Sequence, residues 1–239
     1  MLVLLDVRAS DEIRENLLAL GFDVLSVQKN SRLDEPVSAH PDMRFFTLGN
    51  KIFISNEEKD ELSYITSKLE ALEYEIIYSS VSISKKYPAD IAFNCFTVGK
   101  YLFGNLPYLA PEILEEAKRQ GYTIISVKQG YSKCSTLIVD DNSIITADPS
   151  IYTSAKSAGL DALFINNPDG AIKLCGYSCG FIGGASGVFD NTVYFCGDIS
   201  KHPAAKAIIS FCESKNKAPL SLSKEELCDL GSLLFFKKK

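Results

Sequence analysis

One pattern recurs along nearly the whole chain and limits what it can fold into. A helical stretch ends, a short break follows, and a brief apolar strand begins. The copies are LLALGFDVLSV (17–27), KLEALEYEIIY (68–78), AKRQGYTIISV (117–127) and AKSAGLDALFI (155–165), with a weaker FCESKNKAPLSLS (211–223). The break falls at 21, 73, 121, 159 and near 217, with glycine at Gly21, Gly121 and Gly159. A period of roughly 40–55 residues means one supersecondary unit copied several times, with a core shared between copies.

A second signature precedes each helix from the second copy on: two apolar runs joined by a tight turn. These are MRFFTLGNKIFIS (43–55), IAFNCFTVGKYLFG (91–104), STLIVDDNSIITA (135–147) and GVFDNTVYFCG (187–197). Their turns, Gly49-Asn50, Gly99-Lys100, Asp141-Asn142 and Asp190-Asn191, use residues that tolerate the positive φ of two-residue hairpins. Helix-start residues follow: Asn56, Asn105, Asp148 with Pro149, and Asp198. Helices are expected over about 11–20, 57–72, 111–120 and 203–213.

The unit reads strand, hairpin, strand, helix, strand, and the first copy lacks a strand. The apolar segment LCDLGSLLFF (227–236) can supply it by pairing the two termini, which would also remove an exposed sheet edge. The expected architecture is α/β: a single domain over 1–239, a five-unit pseudo-symmetric propeller closed into a ring. No linker or low-complexity segment interrupts it.

Composition excludes several functions. A net charge of −5 offers no basic surface for nucleic acid. The basic run 237–239 reads as a solvated tail. No stretch approaches about 18 apolar residues, so no membrane span is expected. The N-terminal MLVLLDVR lacks the parts of a signal peptide. The seven cysteines then read as reduced thiols, mostly in the core, which places the chain in the cytoplasm. Cys175 and Cys179 form a lone CxxxC without a second pair, so no zinc site is expected there. The glycine run GGASG (183–187) lacks the Lys-Ser/Thr and spacing of a phosphate loop and reads as a tight bend. No cofactor pattern is present, and oligomeric state is not readable.

Two short motifs carry chemistry. His40-Pro41-Asp42 stands directly ahead of one hairpin, and Gly130-Tyr131-Ser132-Lys133-Cys134-Ser135 ahead of another. Asp42 and Cys134 each lie seven residues before the first turn residue of their hairpins, 49 and 141, which makes them equivalent positions expected to face a central channel. His40 is one of two histidines; the other, His202, reads as a packing or capping residue. Asp90 and Asn94 precede the third unit's hairpin as Asp42 precedes the second's, so Asp42 and Asp90 are candidates for the channel, beside the plainer reading of turn caps, and Asn94 on the same face is a candidate to bond a polar ligand. Arg44 follows the His-Pro-Asp element and is a candidate for a substrate carboxylate beside the plainer reading of a solvated strand residue.

The five-unit pattern and these motifs resemble the pentein fold of the guanidine-modifying enzymes: arginine deiminase, agmatine deiminase, dimethylarginine dimethylaminohydrolase and glycine amidinotransferase. His40-x-Asp42 is similar to their H-x-D/E element, and the Gly130–Ser135 run to the approach to their nucleophilic cysteine. In those enzymes the H-x-D element sits in a late repeat and the cysteine near the C-terminus; here they fall in the second and fourth units, a circular shift. The resemblance implies a Cys-dependent hydrolase or transferase acting on a small guanidine or amidine in the channel. Cys134 would be nucleophile (Cys179 second), His40 acid/base, and Asp42 and Asp90 guanidinium ligands. The family also contains non-catalytic members, so a module binding a small ligand or a protein through the same channel stands beside it.

Overall fold

The computed structural model describes residues 1–238. In chain order its elements are β1 (Leu2–Asp6), α1 (Asp11–Ala19), β2 (Asp23–Val27), a one-turn α2 (Pro41–Arg44), β3 (Phe46–Leu48), β4 (Lys51–Ser55), α3 (Ser63–Glu70) and β5 (Glu75–Ser79). There follow β6 (Phe96–Val98), β7 (Tyr101–Gly104), α4 (Pro111–Arg119), β8 (Thr123–Ser126), β9 (Thr136–Asp140), β10 (Ser143–Thr146), α5 (Pro149–Ser157) and β11 (Asp161–Phe164). The last are β12 (Ser186–Phe189), β13 (Thr192–Phe195), α6 (Ala205–Ser214), β14 (Ala218–Ser221) and β15 (Leu234–Phe236).

They form five three-stranded sheets: β15-β1-β2, β3-β4-β5, β6-β7-β8, β9-β10-β11 and β12-β13-β14. In every sheet the first strand pairs antiparallel with the middle one, and the third runs parallel to it after the helix. The strand missing from the first copy comes from the far end: Leu2 pairs with Phe236, Val3 with Phe235 and Leu4 with Leu234.

The middle strands are near-continuous apolar runs because both faces are buried. Successive side chains point to opposite faces, and here the two faces meet different neighbours. Leu2 and Leu4 of β1 pack with Ile52 and Ile54 of β4, while Val3 and Leu5 pack with Tyr194 beside β15. Phe53 joins Leu102, Phe103 joins Ile144, and Ile145 joins Val193 and Phe195. Each helix adds an i,i+4 pair to one of these clusters: Ile13/Leu17, Ile65/Leu69, Ile113/Ala117, Ile151/Ala155 and Ile208/Cys212. A fully buried Leu or Ile contributes about 1.5–3 kcal/mol relative to an exposed one, so these clusters hold sheet against sheet. A one-residue slip of a middle strand would exchange its two interfaces.

The repeat's break is a left-handed residue after each helix, with φ 86° at Gly21, 70° at Glu73, 78° at Gly121, 81° at Gly159 and 57° at Asn216. Nothing lies within 4 Å of a Cβ added at Gly21, Gly121 or Gly159, so glycine stands there for the dihedral alone.

Several sequence expectations are revised locally. Positive φ occurs at Gly49, Gly99 and Asp190 but not at the Asp141-Asn142 turn. There Asp140 accepts bonds from Asn142 N at 2.8 Å and Ser143 Oγ at 2.6 Å, and the ladder shifts register between Ser143 and Ile144. The long helix over 57–72 is broken: Ser55 caps a short 3-10 turn, Asn56–Glu58, and α3 begins only at Ser63. Asp148 caps α5 through Ser150 N and Ile151 N, both at 2.9 Å. Asp198 caps a 3-10 turn instead of a long helix, and Asn105 donates to Lys128 O and caps nothing. Of the basic end, Lys237 pairs with Asp190 and Lys238 with Glu73, while Lys239 lies outside the described residues. Among the described residues no helix is long and apolar enough to cross a membrane.

Candidate active site

A loop leads into each first strand, and the five loops meet. Asp42 N donates to Gly231 O at 3.0 Å, Ser232 N to Gly184 O at 2.8 Å, and Gly184 N to Cys134 O at 2.9 Å. Lys133 N donates to Asn94 Oδ1 at 2.8 Å, and Asn94 Nδ2 donates to Asp42 O at 3.1 Å. These bonds run through the entries to β3, β15, β12, β9 and β6 in turn. Glycine permits the close approach: a Cβ at Gly184 would lie 1.9 Å from Asp229 Oδ1, and one at Gly231 (φ +67°) 2.2 Å from His40 Cβ. The GGASG run is thus a turn whose first glycines face neighbouring loops.

His40, Asp42 and Cys134 are brought together. One donor atom from each lies within 4.8 Å of the other two, and all three are buried. Cys134 Sγ donates to Asp42 Oδ1 at 3.1 Å. His40 lies between two more carboxylates, with Nε2 at 3.9 Å from Asp6 and Nδ1 at 3.8 Å from Asp229. Neither ring nitrogen has a hydrogen-bond partner among the described residues.

Three participants escaped the sequence reading: Asp229, Lys133 and Ser232. Asp229 is buried and accepts from Phe181 N at 2.8 Å and Gly231 N at 3.1 Å. Lys133 Nζ donates to Ser232 Oγ at 2.8 Å, and Ser232 Oγ donates to Asp42 Oδ2 at 2.6 Å. The chain Lys133–Ser232–Asp42–Cys134 is continuous. Asp229 and Ser232 belong to the wrapped segment 227–236, and they become visible once the pre-hairpin equivalence is extended to it.

Electrostatics follow from burial. The Cys134 thiol is pushed well above its ordinary range, first by desolvation and then by Asp42 and Asp229. Lys133 is lowered by desolvation, opposed by Asp42, Cys134 and Asp229. Desolvation raises Asp229, opposed by His40. Burial and the neighbouring carboxylates thus both favour the thiol over the thiolate.

The other candidates take supporting places. Asn94 is saturated: besides the bonds above, its Nδ2 lies 3.1 Å from Cys134 Sγ, so it fixes the Cys134 loop. Asp90 Oδ2 accepts from Tyr131 OH at 2.6 Å, and its carboxyl is raised by burial. It stands behind a cavity wall, not at the reacting centre. Arg44 is corrected outright. It is fully buried, neither solvated nor at the site, and spans Glu58, Glu61 and the Gln28 carbonyl. His202 Nδ1 accepts from Ala204 N at 3.0 Å, a local cap.

The channel expectation is also revised. The large hollow along the first strands, ≈360 Å³, is lined by Lys133, Leu137, Ser186 and Leu234, and neither Cys134 nor His40 reaches it. Cys134, His40 and Asp229 instead line a separate cavity of ≈90 Å³, walled by Tyr131, Tyr177 and Phe181. Cys179 also borders it.

A family profile described as "Family of unknown function (DUF6873)" matches residues 4–234. No curated protein matches the chain. Among solved structures it is similar to an amidinotransferase of the saxitoxin biosynthetic pathway from Microseira wollei (TM-score 0.62, 12% identity, 96% of this chain and 79% of that one). It is similar to inosamine-phosphate amidinotransferase from Streptomyces griseus (TM-score 0.60, 13% identity, 97% and 82%). A third is a citrulline complex of a dimethylarginine dimethylaminohydrolase from Pseudomonas aeruginosa (TM-score 0.58, 8% identity, 93% and 91%). These are pentein-fold, guanidine-modifying enzymes, and at such identities the likeness is one of fold.

Proposed function

For a chain that belongs to the Family of unknown function (DUF6873) and shares its fold with guanidine-modifying penteins, we propose a Cys-dependent hydrolase or amidinotransferase acting on a small guanidine or amidine. The observation that carries this reading is the buried His40–Asp42–Cys134 cluster at one cavity, with Asp229 beside it.

A cationic substrate sits against the carboxylates of Asp42 and Asp229 and offsets the negative field that keeps the thiol protonated. His40 accepts the thiol proton. The sulfur attacks the central carbon and forms a C–S bond, while the C=N electron pair moves to nitrogen. The C–N bond to the leaving amine breaks, and His40 returns the proton to that amine. Water then attacks the same carbon, His40 taking its proton; the C–S bond breaks, the proton returns to sulfur, and a guanidine leaves as a ureido product or an amidine as an amide. An amine acceptor in place of water gives transfer. Lys133, through Ser232, orients Asp42.

The same reading includes a single domain closed into a ring, supported by the five interlocking core clusters and the β15–β1 pairing. Seven free cysteines, most of them in the interior, support a reducing compartment, the cytoplasm. The second reading, a non-catalytic small-ligand binder, is favoured by one observation: Cys134 Sγ donates to Asp42, and His40, the base a catalytic thiol would need, has no hydrogen-bond partner among the described residues. Ammonia and ureido-product release from arginine, agmatine, methylated arginines, creatine and simple guanidines tests the choice. Turnover lost in Cys134→Ala supports catalysis by Cys134. Turnover surviving that change moves the nucleophile elsewhere, with Cys179 next.

A further inference from the structure

The cavity's size and lining narrow the substrate. Resting on the guanidine reading above, we infer that this site takes a compact amidinium or guanidinium lacking a carboxylate, such as methylguanidinium or acetamidinium, and turns away amino-acid guanidines such as arginine.

Size is the first argument. The cavity holding Cys134, His40 and Asp229 measures ≈90 Å³. An apolar cavity of about 150 Å³ accommodates benzene, with about six heavy atoms, so on that scale this one holds about four. Guanidinium or acetamidinium fills such a space, with about four heavy atoms; methylguanidinium, with about five, is at its limit. Arginine, with about twelve, exceeds it threefold.

Charge is the second. A substrate α-carboxylate needs a cationic or N–H-rich partner, and arginine side chains supply it most often. No lysine or arginine lines the cavity among the described residues. Arg44, the arginine nearest the motif in sequence, is committed to Glu58 and Glu61. Lys133 directs its Nζ to Ser232. The one acidic residue lining the cavity is Asp229, and most of the remaining wall is apolar or aromatic, so a zwitterion's own carboxylate would meet no cationic partner there.

The wall is the third. Val37, Leu174, Tyr177 and Phe181 close the space around the reactive end. Such a surface suits a methyl or hydrogen substituent and offers nothing to a polar tail. Tyr177 is half exposed, and its hydroxyl reaches Asp34 at 3.4 Å, so this aromatic forms the outer face of the cavity.

The test uses the full chain and four probes: methylguanidinium, acetamidinium, agmatine and arginine. Each is assayed for protection of Cys134 against S-alkylation, read by mass spectrometry, and for turnover. Protection by methylguanidinium or acetamidinium at least tenfold stronger than by arginine supports the inference. Equal or better protection by arginine overturns the size argument and leaves the guanidine reading standing. Protection by none of the four overturns both. Tyr177→Ala and Leu174→Ala, surface-side changes outside the reacting cluster, give an independent check. Opening the wall should improve agmatine protection several-fold relative to methylguanidinium, and an unchanged ratio in both variants would overturn the role given to the wall.

Discussion

Replacing Phe236 by alanine probes how the two ends of the chain hold the fold and the site together. Phe236 is 2% exposed, pairs with Leu2 across the β15–β1 ladder, and meets the Tyr74 ring edge-on at 5.3 Å. It shares a core cluster with Leu4, Phe45, Ile52 and Leu69. Emptying such a site removes the ring's transfer free energy and leaves a cavity, about 3–5 kcal/mol together. For a chain of this length each kcal/mol moves Tm by about 2–4 °C, so the expected fall is about 6–20 °C. Thermal unfolding followed by calorimetry reads it directly. The segment before β15 also carries Asp229, Gly231 and Ser232 into the site, so alkylation of Cys134 should quicken in the variant well below its Tm. A fall of less than about 2 °C would refute the claim that this strand completes the first sheet's core.

Other outcomes are equally specific. Lys133→Met removes the half-buried donor to Ser232 at the head of the relay to Asp42 and should cost about 1–3 kcal/mol by urea titration; Ser232→Ala, which breaks the same relay at one hydroxyl, should cost about 1–2. Gly231→Ala forces a Cβ to within 2.2 Å of His40 Cβ at a backbone φ of +67°, so it should displace the imidazole and reduce turnover more than it lowers Tm. Asp229 has a raised folded-state pKa, so the folded protein holds its proton more tightly than the unfolded chain does. Its contribution is present below the usual carboxylate value and lost as pH rises through the folded value. The Tm difference between wild type and Asp229→Asn should therefore shift in the variant's favour from about pH 5 to about pH 8.

The repeat was legible because its causes are local. A left-handed residue must follow each helix, a turn must join each hairpin, and each helix needs an apolar i,i+4 pair. The strand completing the first sheet was legible for the same reason, as an apolar run with no other place to go. The Asp140 turn and the broken second helix were not, since each goes with local side-chain bonds, Asp140 to Asn142 N and Ser143 Oγ in one and Ser55 to Glu57 N in the other. At the site, His40, Asp42 and Cys134 came forward because they share a motif or an equivalent position. Asp229 and Lys133 did not, because their meaning depends on which loops touch. The five entry loops bond to one another in turn, so residues far apart in sequence, such as Asp42 and Cys134, meet at one place. Arg44 shows the opposite hazard. Its neighbours in sequence lie in the site, yet its own side chain turns toward Glu58.

The central claim is that Cys134 lies in a cavity built to receive a compact cation. The most direct measurement compares Cys134 labelling by chloroacetamidine, cationic at neutral pH, and by chloroacetamide, its neutral counterpart of the same size. One carboxylate about 4 Å from a bound cation contributes up to about 4 kcal/mol at an effective dielectric constant of about 20. With Asp42 and Asp229 at hand, the account predicts that the cation labels Cys134 at least a hundredfold faster, with little preference at the exposed Cys175. Equal rates at Cys134 for the two reagents would contradict it.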